Sequence, residues 1–127
     1  MATVIHLDTH VVIWLYLRDL QRLGLVRHRL EGSRLVISPM VALELQYLFE
    51  VGKATVGAEP VLQDLAQRIG LTQCSRPFAQ IVPIAWTQSW TRDPFDRLIV
   101  ANALVQGAPL LTCDRLIREN CPTAVWD

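Results

Sequence analysis

Four carboxylates stand where predicted strands end or predicted helices begin. Asp8 and Asp114 each follow a short apolar run that is typical of a buried β-strand. Glu44 and Asp96 each lie in an early turn of a predicted helix. Because open α/β sheets place their sites at the carboxyl ends of the strands, we expect these four side chains to converge there.

A cluster of this kind opposes folding unless a cation neutralises it, because buried like charges raise one another's pKa. Oxygen ligands without clustered histidines or cysteines favour Mg²⁺ or Mn²⁺ over zinc. Hydrolysis of a phosphodiester fits that chemistry, since a bound ion polarises the phosphate, helps to generate hydroxide from water and stabilises the leaving oxygen. The order of the acids therefore indicates metal-dependent phosphodiester hydrolysis as a hypothesis.

The segment TRDPFDRLIVANALV, residues 91–105, predicts a helix with acids at its start. Asp93 suits the cap, Pro94 the first helical position and Asp96 the first turn, and Gly107 supplies a stop signal. Acids at this end also have a purely structural use, because a cap binds free backbone amides and stabilises a helix by roughly 0.5 to 2 kcal/mol. One acid is enough for that purpose.

Predicted strands alternate with predicted helices along the chain. The strands are residues 3–7, 34–37, 71–74, 109–113 and 123–126. The other helices are residues 11–17, residues 19–31, a segment that starts after the cap Ser38 and is ended by Gly52, residues 61–69, and residues 77–88 with a break at Pro83. This alternation predicts one α/β domain over residues 1–127, with a mostly parallel central sheet and helices on both faces.

The balance of charge limits how the chain attracts polyanions. Lys+Arg and Asp+Glu number 12 each, so net charge gives no general attraction to nucleic acid or membrane. Any polyanion must be held locally, and Arg22 and Arg29 are candidates because arginine suits bidentate phosphate contact. The 51% hydrophobic content fits a sheet covered on both faces, or an oligomer.

Cysteine usage and hydropathy point to the cytoplasm. Three cysteines without a Cys-x-x-Cys pair indicate neither a disulfide framework nor a zinc site. The first residues carry no export signal, and the longest uncharged run, residues 98–113, is shorter than the roughly 20 residues of a spanning helix. We therefore expect a cytoplasmic protein without a membrane segment. His6 is expected to be a packed side chain and Cys113 a buried thiol.

Four segments together resemble the PIN-domain ribonucleases, and most closely the VapC-type toxins of bacterial toxin–antitoxin pairs. They are LDTHVVIW from Leu7, ISPMVALELQYLFEVGK from Ile37, RDPFDRLIVANAL from Arg92 and LLTCD from Leu110. They span nearly the whole chain in the order and spacing of that family, and RDPFDRLI is the most specific of them.

The resemblance implies an acidic site that holds Mg²⁺ or Mn²⁺ and a nucleophilic water, and that cuts RNA. Its residues would be Asp8, Glu44, Asp96 and Asp114. Thr9 and Thr112 match hydroxyl residues that would orient a carboxylate or contact phosphate. Arg97 also matches, and would pair with an acid, approach the phosphate or form a surface salt bridge. By the capping argument, Asp93 is assigned to the helix cap or to a supporting role.

The resemblance also implies partners, namely a cognate antitoxin and a second copy of the chain in a homodimer. Two other functions stay open. One is a non-catalytic module that binds RNA or a partner. The other is an aspartyl-phosphate hydrolase with Asp8 as nucleophile, which is disfavoured because LDTH lacks a second acid two residues further on.

Overall fold

A five-stranded parallel sheet forms the centre of the computed structural model, which describes residues 3–127. The strands are β1 Val4–Leu7, β2 Arg34–Ile37, β3 Thr72–Gln73, β4 Leu110–Leu111 and β5 Ala124–Val125. Their order across the sheet is β3-β2-β1-β4-β5, and each neighbouring pair is parallel. The α/β class and the parallel sheet predicted from the sequence are confirmed.

Eight α-helices lie between these strands in the described part of the chain. They are α1 Thr9–Leu17, α2 Leu20–Leu23, α3 Arg27–Leu30, α4 Pro39–Glu50, α5 Ala58–Ile69, α6 Phe78–Trp86, α7 Pro94–Gln106 and α8 Arg115–Asn120, with a 3₁₀ turn at Gly24–Val26. None of the helices within residues 3–127 combines the length and the apolar character that crossing a bilayer requires.

The strand order contains a switch point between β1 and β4. The chain moves from β1 through β2 to β3 toward one edge of the sheet, and then crosses back to β4 and β5. Right-handed crossovers place the helices of the first path and of the second path on opposite faces. Leu7 pairs with Leu111 at the carboxyl ends of β1 and β4. The residues after them, Asp8 and Thr112, therefore lie side by side where sheets of this class place their sites.

Apolar residues of the sheet and of the flanking helices form the main core. Leu7 and Ile37 of the sheet are fully buried, and so are Val41 and Leu65 on the helices. On α4, the buried side chains are Val41, Leu45 and Leu48, whereas Phe49 is 43% exposed. A smaller apolar cluster joins α6 to α7 through Ile81, Ala85 and Ala101. This contact packs α6, at the start of the connection from β3 to β4, against α7, the helix that carries Asp96.

The prediction of one helix over residues 19–31 is wrong. The segment is divided into α2, the 3₁₀ turn and α3. Gly24 has φ 56° and ψ −135°, a backbone conformation that ends a helix and that glycine adopts without steric cost. The apolar spacing of this segment fits a helix, but Leu25 is 66% exposed.

Helix α8 was not predicted. From the sequence, strands are predicted over residues 109–113 and 123–126, with no helix between them. The structure shows that strand β4 is shorter, Leu110–Leu111, and that Asp114 begins a helix. The Asp114 Oδ1 atom accepts a hydrogen bond from the backbone N–H of Ile117 at 2.9 Å. The helix signal was therefore present in the sequence as a capping aspartate followed three residues later by a buried isoleucine.

A break or kink is predicted at Pro83, and the structure shows no break, since α6 continues through this residue. Proline removes one backbone N–H, and its ring crowds the carbonyl group four residues earlier, at Ala79. Both residues are exposed, so water can reach that carbonyl group. The buried side chains of Ile81 and Ala85 hold the helix together on its other side.

Pro83→Ala is expected to raise the free energy of unfolding by about 2 to 2.6 kcal/mol. A proline inside a helix costs about 3 kcal/mol, and about 0.4 to 1 kcal/mol of that is offset because proline also restricts the unfolded chain. Urea unfolding followed by circular dichroism measures the change. Pro39→Ala is the matched control, because Pro39 occupies the first turn of α4, where proline is favourable. An equal gain in both variants would contradict the explanation.

Candidate active site

Asp8 is held by hydrogen bonds to both of its carboxylate oxygens. It caps α1, and its Oδ1 atom accepts a hydrogen bond from the backbone N–H of Thr9 at 2.8 Å. Its Oδ2 atom accepts one from the Thr112 hydroxyl at 2.6 Å. Asp8 is 6% exposed, and both threonines are fully buried. Residues that follow β1 and β4, the two strands at the switch point, thus fix the orientation of this carboxylate.

Thr9 joins Asp8 to Glu44. The Thr9 hydroxyl donates a hydrogen bond to Glu44 Oε1 at 2.5 Å, and this bond connects the start of α1 to α4. Glu44 lies beside the apolar face of α4, near the end of the sheet, and is partly buried. Each of the two threonines therefore orients one of the candidate acids.

Asp93 and Asp96 differ in what their side chains contact. Asp93 is exposed, and its Oδ1 atom accepts hydrogen bonds from the backbone N–H groups of Phe95 at 2.8 Å and of Asp96 at 3.4 Å. It therefore acts as the cap of α7. The Asp96 carboxylate is partly buried and accepts no hydrogen bond from residues 3–127. Asp96 is thus the acid that the fold leaves available for a ligand.

Asp114 is the fourth predicted acid, and Thr112 connects it to Asp8. The backbone N–H of Asp114 donates to the Thr112 hydroxyl at 3.1 Å, and the same hydroxyl donates to Asp8. Asp114 is exposed, and one of its oxygens caps α8. The structure thus brings the ends of β1 and β4 together through one side chain.

Arg97 does not form the expected ion pair. Its Nε–H group donates to the backbone carbonyl of Thr91 at 2.8 Å. Among the salt bridges of residues 3–127, none involves Arg97. This contact closes the turn that precedes α7, so the position of Arg97 in the structure is that of a residue that supports the start of this helix.

The acids are close enough to act on one another electrostatically. Burial is the main reason why the pKa of Asp96 is raised to about 7, and the negative charges of four other acids act in the same direction, namely those of Asp93, Asp8, Asp114 and Glu44. Asp96 therefore lies within the electrostatic field of every other candidate acid.

Asp8 and Glu44 are affected in the same direction. Burial raises the pKa of Asp8, while the hydrogen bonds from Thr112 and Thr9 oppose this change. Burial also raises the pKa of Glu44, against the hydrogen bond from Thr9. For all three acids the fold thus disfavours the charged form, which is the condition in which a cation stabilises a site.

The donor chemistry suits a hard cation, whereas the distances between donors are too large. Within residues 3–127, no three His, Cys, Asp or Glu side chains are close enough to hold one metal ion together. The available ligands are carboxylate oxygens, which Mg²⁺ and Mn²⁺ prefer. A metal would therefore require carboxylates to rotate toward one another. Asp96 is the one that can rotate without losing a hydrogen bond to the described residues.

Two neighbours of the cluster differ from expectation. His10 is exposed, and positive charge on its ring lowers the pKa of both Asp8 and Glu44, so it lies near them although no role was predicted for it from the sequence. Its position two residues after Asp8 was the available signal. Cys113 is only partly buried, in contrast to the buried thiol that was predicted. Burial and the charge of Asp8 raise its pKa, which disfavours the reactive thiolate.

Comparison with known proteins decides the family. The sequence model of the PIN domain family matches residues 5–121 of the chain. The chain belongs to the PIN-domain family. This PIN domain is 33% identical to Ribonuclease VapC22 from Mycobacterium tuberculosis (strain ATCC 25618 / H37Rv), in an alignment of 137 positions that covers 99% of this chain and 100% of the relative. The resemblance noted in the sequence is therefore confirmed.

Solved structures share the fold of this PIN domain. VapBC2 from Rickettsia felis, bound to a DNA fragment from its promoter, matches with a TM-score of 0.62 and 18% identity over 98% of both chains. VapBC-1 from nontypeable Haemophilus influenzae matches with a TM-score of 0.59 and 19% identity over 98% of this chain and 97% of that one. At these identities the likeness shows the fold alone.

Proposed function

We propose that this PIN domain is an endoribonuclease that depends on Mg²⁺ or Mn²⁺ and acts as the toxin of a toxin–antitoxin pair. The observation that carries the proposal is Asp96, a partly buried carboxylate without a hydrogen-bond donor among the described residues, in the field of four other acids. An unpaired carboxylate in such a place costs folding free energy, so its presence favours a cation-binding role. The relative named as a ribonuclease supports RNA as the substrate.

Four carboxylates would hold the ion: Asp8, Glu44, Asp96 and Asp114. When bound, the ion supplies positive charge that polarises the phosphodiester and lowers the pKa of a water molecule. The residues of the chain position these ligands. Thr112 holds Asp8, Thr9 holds Glu44, and the Asp114 backbone is tied to the same Thr112 hydroxyl. Asp93 stabilises the start of α7 and so places Asp96.

The experiment is cleavage of total and structured RNA by the purified, antitoxin-free chain in Mg²⁺, in Mn²⁺ and in EDTA. The wild type is expected to cut with either ion and not in EDTA. Asp96→Asn is expected to reduce the rate by at least about 100-fold, because the variant removes a ligand charge. Asp93→Asn is the matched control and is expected to stay within about tenfold of the wild type, since asparagine also caps helices.

Two results would contradict this proposal. Cleavage that persists in EDTA would exclude metal dependence. Equal cleavage by the wild type and by Asp96→Asn would identify either a contaminating nuclease or a different site. RNA binding by the wild type without any cleavage under all conditions would favour the alternative of a non-catalytic binding module.

An antitoxin segment has an apolar groove available beside the acids. The groove has a volume of about 410 Å³ and is lined by residues of α1, α4 and the start of α5, among them Ile13, Trp14, Leu17, Leu48 and Val61. His10 lies at the end of the groove near Asp8. We propose that the antitoxin binds here. A complex with the antitoxin in which Trp14 keeps its solvent exposure would argue against this placement.

The proposed homodimer is supported by exposed apolar residues on α4. Leu43, Tyr47 and Val51 are 55%, 46% and 47% exposed and follow one another at four-residue spacing, so they lie along one face. Tyr47 also packs against Phe95, one residue before Asp96, with ring centroids 5.6 Å apart. A dimer through this face would enclose the acids from one side. Sedimentation of the chain as a monomer at high concentration would contradict it.

The alternative in which Asp8 accepts a phosphoryl group finds no support in the contacts. Both of its oxygens accept hydrogen bonds, and the residue is 6% exposed. A nucleophilic carboxylate must instead direct one oxygen toward the substrate. Trapping of a phosphorylated Asp8 would restore this alternative.

A further inference from the structure

A groove with three arginines lies next to the acidic cluster, on α8 and β5. It has a volume of about 590 Å³, and the residues that matter in its lining are Arg29, Arg115, Arg118, Glu119 and Trp126. Helix α8 begins at Arg115, directly after the candidate ligand Asp114. The backbone N–H of Arg118 donates to the carbonyl group of Asp114 at 3.0 Å, so Arg118 lies one helical turn from that acid. The groove therefore starts at the edge of the proposed site.

The three arginines differ in whether their side chains already pair with an acidic residue. Arg29 forms a bidentate ion pair with Asp127, in which its Nε–H donates to Oδ2 at 2.9 Å and its Nη2–H to Oδ1 at 2.8 Å. Arg115 pairs with Glu119 at 2.9 Å, but its side chain is 90% exposed. Such an exposed pair contributes little stability and is readily exchanged for another partner. Arg118 has no hydrogen bond or ion pair from its side chain to residues 3–127.

We propose that this groove binds the phosphate backbone of the RNA strand on one side of the bond that is cut, with Arg118 and Arg115 contacting phosphates. The proposal rests on the proposed ribonuclease function. A strand with one phosphate at the acids must lead its neighbouring phosphates across the adjacent surface. A guanidinium group keeps its charge at all relevant pH values and matches the geometry of phosphate oxygens.

The lining favours a nucleic-acid backbone over an acidic protein segment. Protein segments bind mainly through buried apolar anchors, whereas binding of a phosphate backbone requires only positioned positive charges. The groove offers three arginines, and its apolar lining consists of Ala124, Val125 and Trp126, whose ring already packs against Trp14. Because the whole chain has no net charge, a local excess of arginine is what a polyanion would encounter.

The test measures RNA affinity without cleavage. The full chain is titrated in EDTA against a 5′-labelled single-stranded RNA oligonucleotide of mixed sequence, and fluorescence anisotropy is recorded at several NaCl concentrations. Arg118→Gln is the main variant, because it removes a charge without releasing a partner. We expect affinity to fall by about 3- to 10-fold and the slope of log K against log[salt] to become shallower by about 0.7, the value for one phosphate contact to a single strand.

Arg76→Gln is the matched control. Arg76 is exposed and follows β3, at the opposite edge of the sheet from β5. The control removes the same charge and is expected to keep the wild-type slope. Arg118→Lys is expected to recover part of the affinity, because it restores charge without the two-pronged contact. Equal losses in Arg118→Gln and Arg76→Gln would overturn the proposal, since they would show only a general charge effect.

A second probe separates RNA from protein partners. Poly-glutamate of matched charge is expected to compete poorly with the RNA. Binding of poly-glutamate as tight as that of RNA, with the same dependence on Arg118, would overturn the proposal in favour of an acidic protein segment. Failure of the ribonuclease function is distinguishable, because it would abolish cleavage while the effect of Arg118→Gln on affinity and slope persists. If the wild type cleaves RNA but Arg118→Gln binds RNA as tightly as the wild type, the proposed role of the groove is wrong and the ribonuclease function stands.

Discussion

Asp8→Asn is expected to lower RNA cleavage by at least about 1,000-fold while the chain remains folded. Asp8 is the most buried of the acids proposed to hold the ion, and its two oxygens are positioned by Thr9 and Thr112. Asparagine keeps the shape and one acceptor oxygen, but it removes the negative charge that a divalent ion requires. We therefore expect the loss mainly in kcat, and less in the affinity for RNA.

The hydrogen bonds around Asp8 allow this substitution. The asparagine oxygen can accept from the Thr9 backbone N–H, and its amide can donate to the Thr112 hydroxyl, which turns to accept. Burial raises the pKa of Asp8, so the charged form is disfavoured in the fold. A neutral side chain avoids that cost. In EDTA at pH 8, we therefore expect the thermal midpoint of Asp8→Asn to equal or exceed that of the wild type.

Asp19→Asn is the control for the same chemical change at a helix cap. Asp19 caps α2 and accepts a hydrogen bond from the backbone N–H of Arg22 at 3.1 Å. It lies outside the acidic cluster, so its substitution is expected to leave cleavage unchanged. Unfolding of Asp8→Asn under conditions where Asp19→Asn remains folded would show that Asp8 serves the structure, and it would count against the proposed site.

Local signals in the sequence were sufficient for the elements that position the acids. Ser38 and Asp93 cap α4 and α7 as predicted, and Asp8 follows β1 as predicted. These features depend on neighbouring residues alone. The bond from Thr9 to Glu44 joins residues 35 positions apart, and no local pattern specifies such a pair. Local patterns therefore indicate where the acids follow strands or begin helices, but they do not indicate which hydroxyl orients which acid.

Errors arose where a tertiary contact decides the local structure. Pro83 remains inside α6 because the far side of that helix packs against α7. Helix α8 likewise has no apolar periodicity long enough to predict it from residues 115–120 alone, and its start at Asp114 brings Arg115 and Arg118 into one groove. Arg22, a predicted phosphate contact, lies with its guanidinium 5.9 Å from the centroid of the Trp14 ring, and its role toward phosphate stays a prediction.

The pH dependence of stability gives the second large effect. In EDTA, the free energy of unfolding is expected to fall by about 0.5 kcal/mol between pH 6.5 and 8.5. The folded chain holds a proton on Asp96 up to a pKa of about 7, whereas the unfolded chain releases it near the ordinary value of 3.8. The folded state therefore binds more protons, and its stability decreases as pH rises through 7. The figure is reduced for solvent screening, because Asp96 is only partly buried.

His6 makes an opposite and smaller contribution within this pH window. Burial lowers the pKa of this histidine, against its hydrogen bond with Gln106. The unfolded chain therefore binds more protons on His6 around and below its ordinary pKa of 6.5, which lowers stability at more acidic pH. His6 thus offsets part of the decrease that Asp96 causes. Asp96→Asn is expected to remove most of the decrease, and to be more stable than the wild type at pH 8.5 in EDTA.

Mg²⁺ is expected to abolish the fall in stability that Asp96 causes in the wild type. The ion competes with the proton for the Asp96 carboxylate, so it binds more tightly at pH 8.5 than at pH 6.5. With the ion bound, Asp96 is charged in the folded chain as in the unfolded chain, so this group no longer makes stability depend on pH. At 100 times its dissociation constant, the ion would also stabilise the folded chain by about 2.7 kcal/mol. Thermal unfolding at both pH values, with Mg²⁺ and with EDTA, measures both effects. If Mg²⁺ stabilises Asp96→Asn as much as the wild type, the ion binds elsewhere, since the variant retains every other carboxylate but lacks this charge.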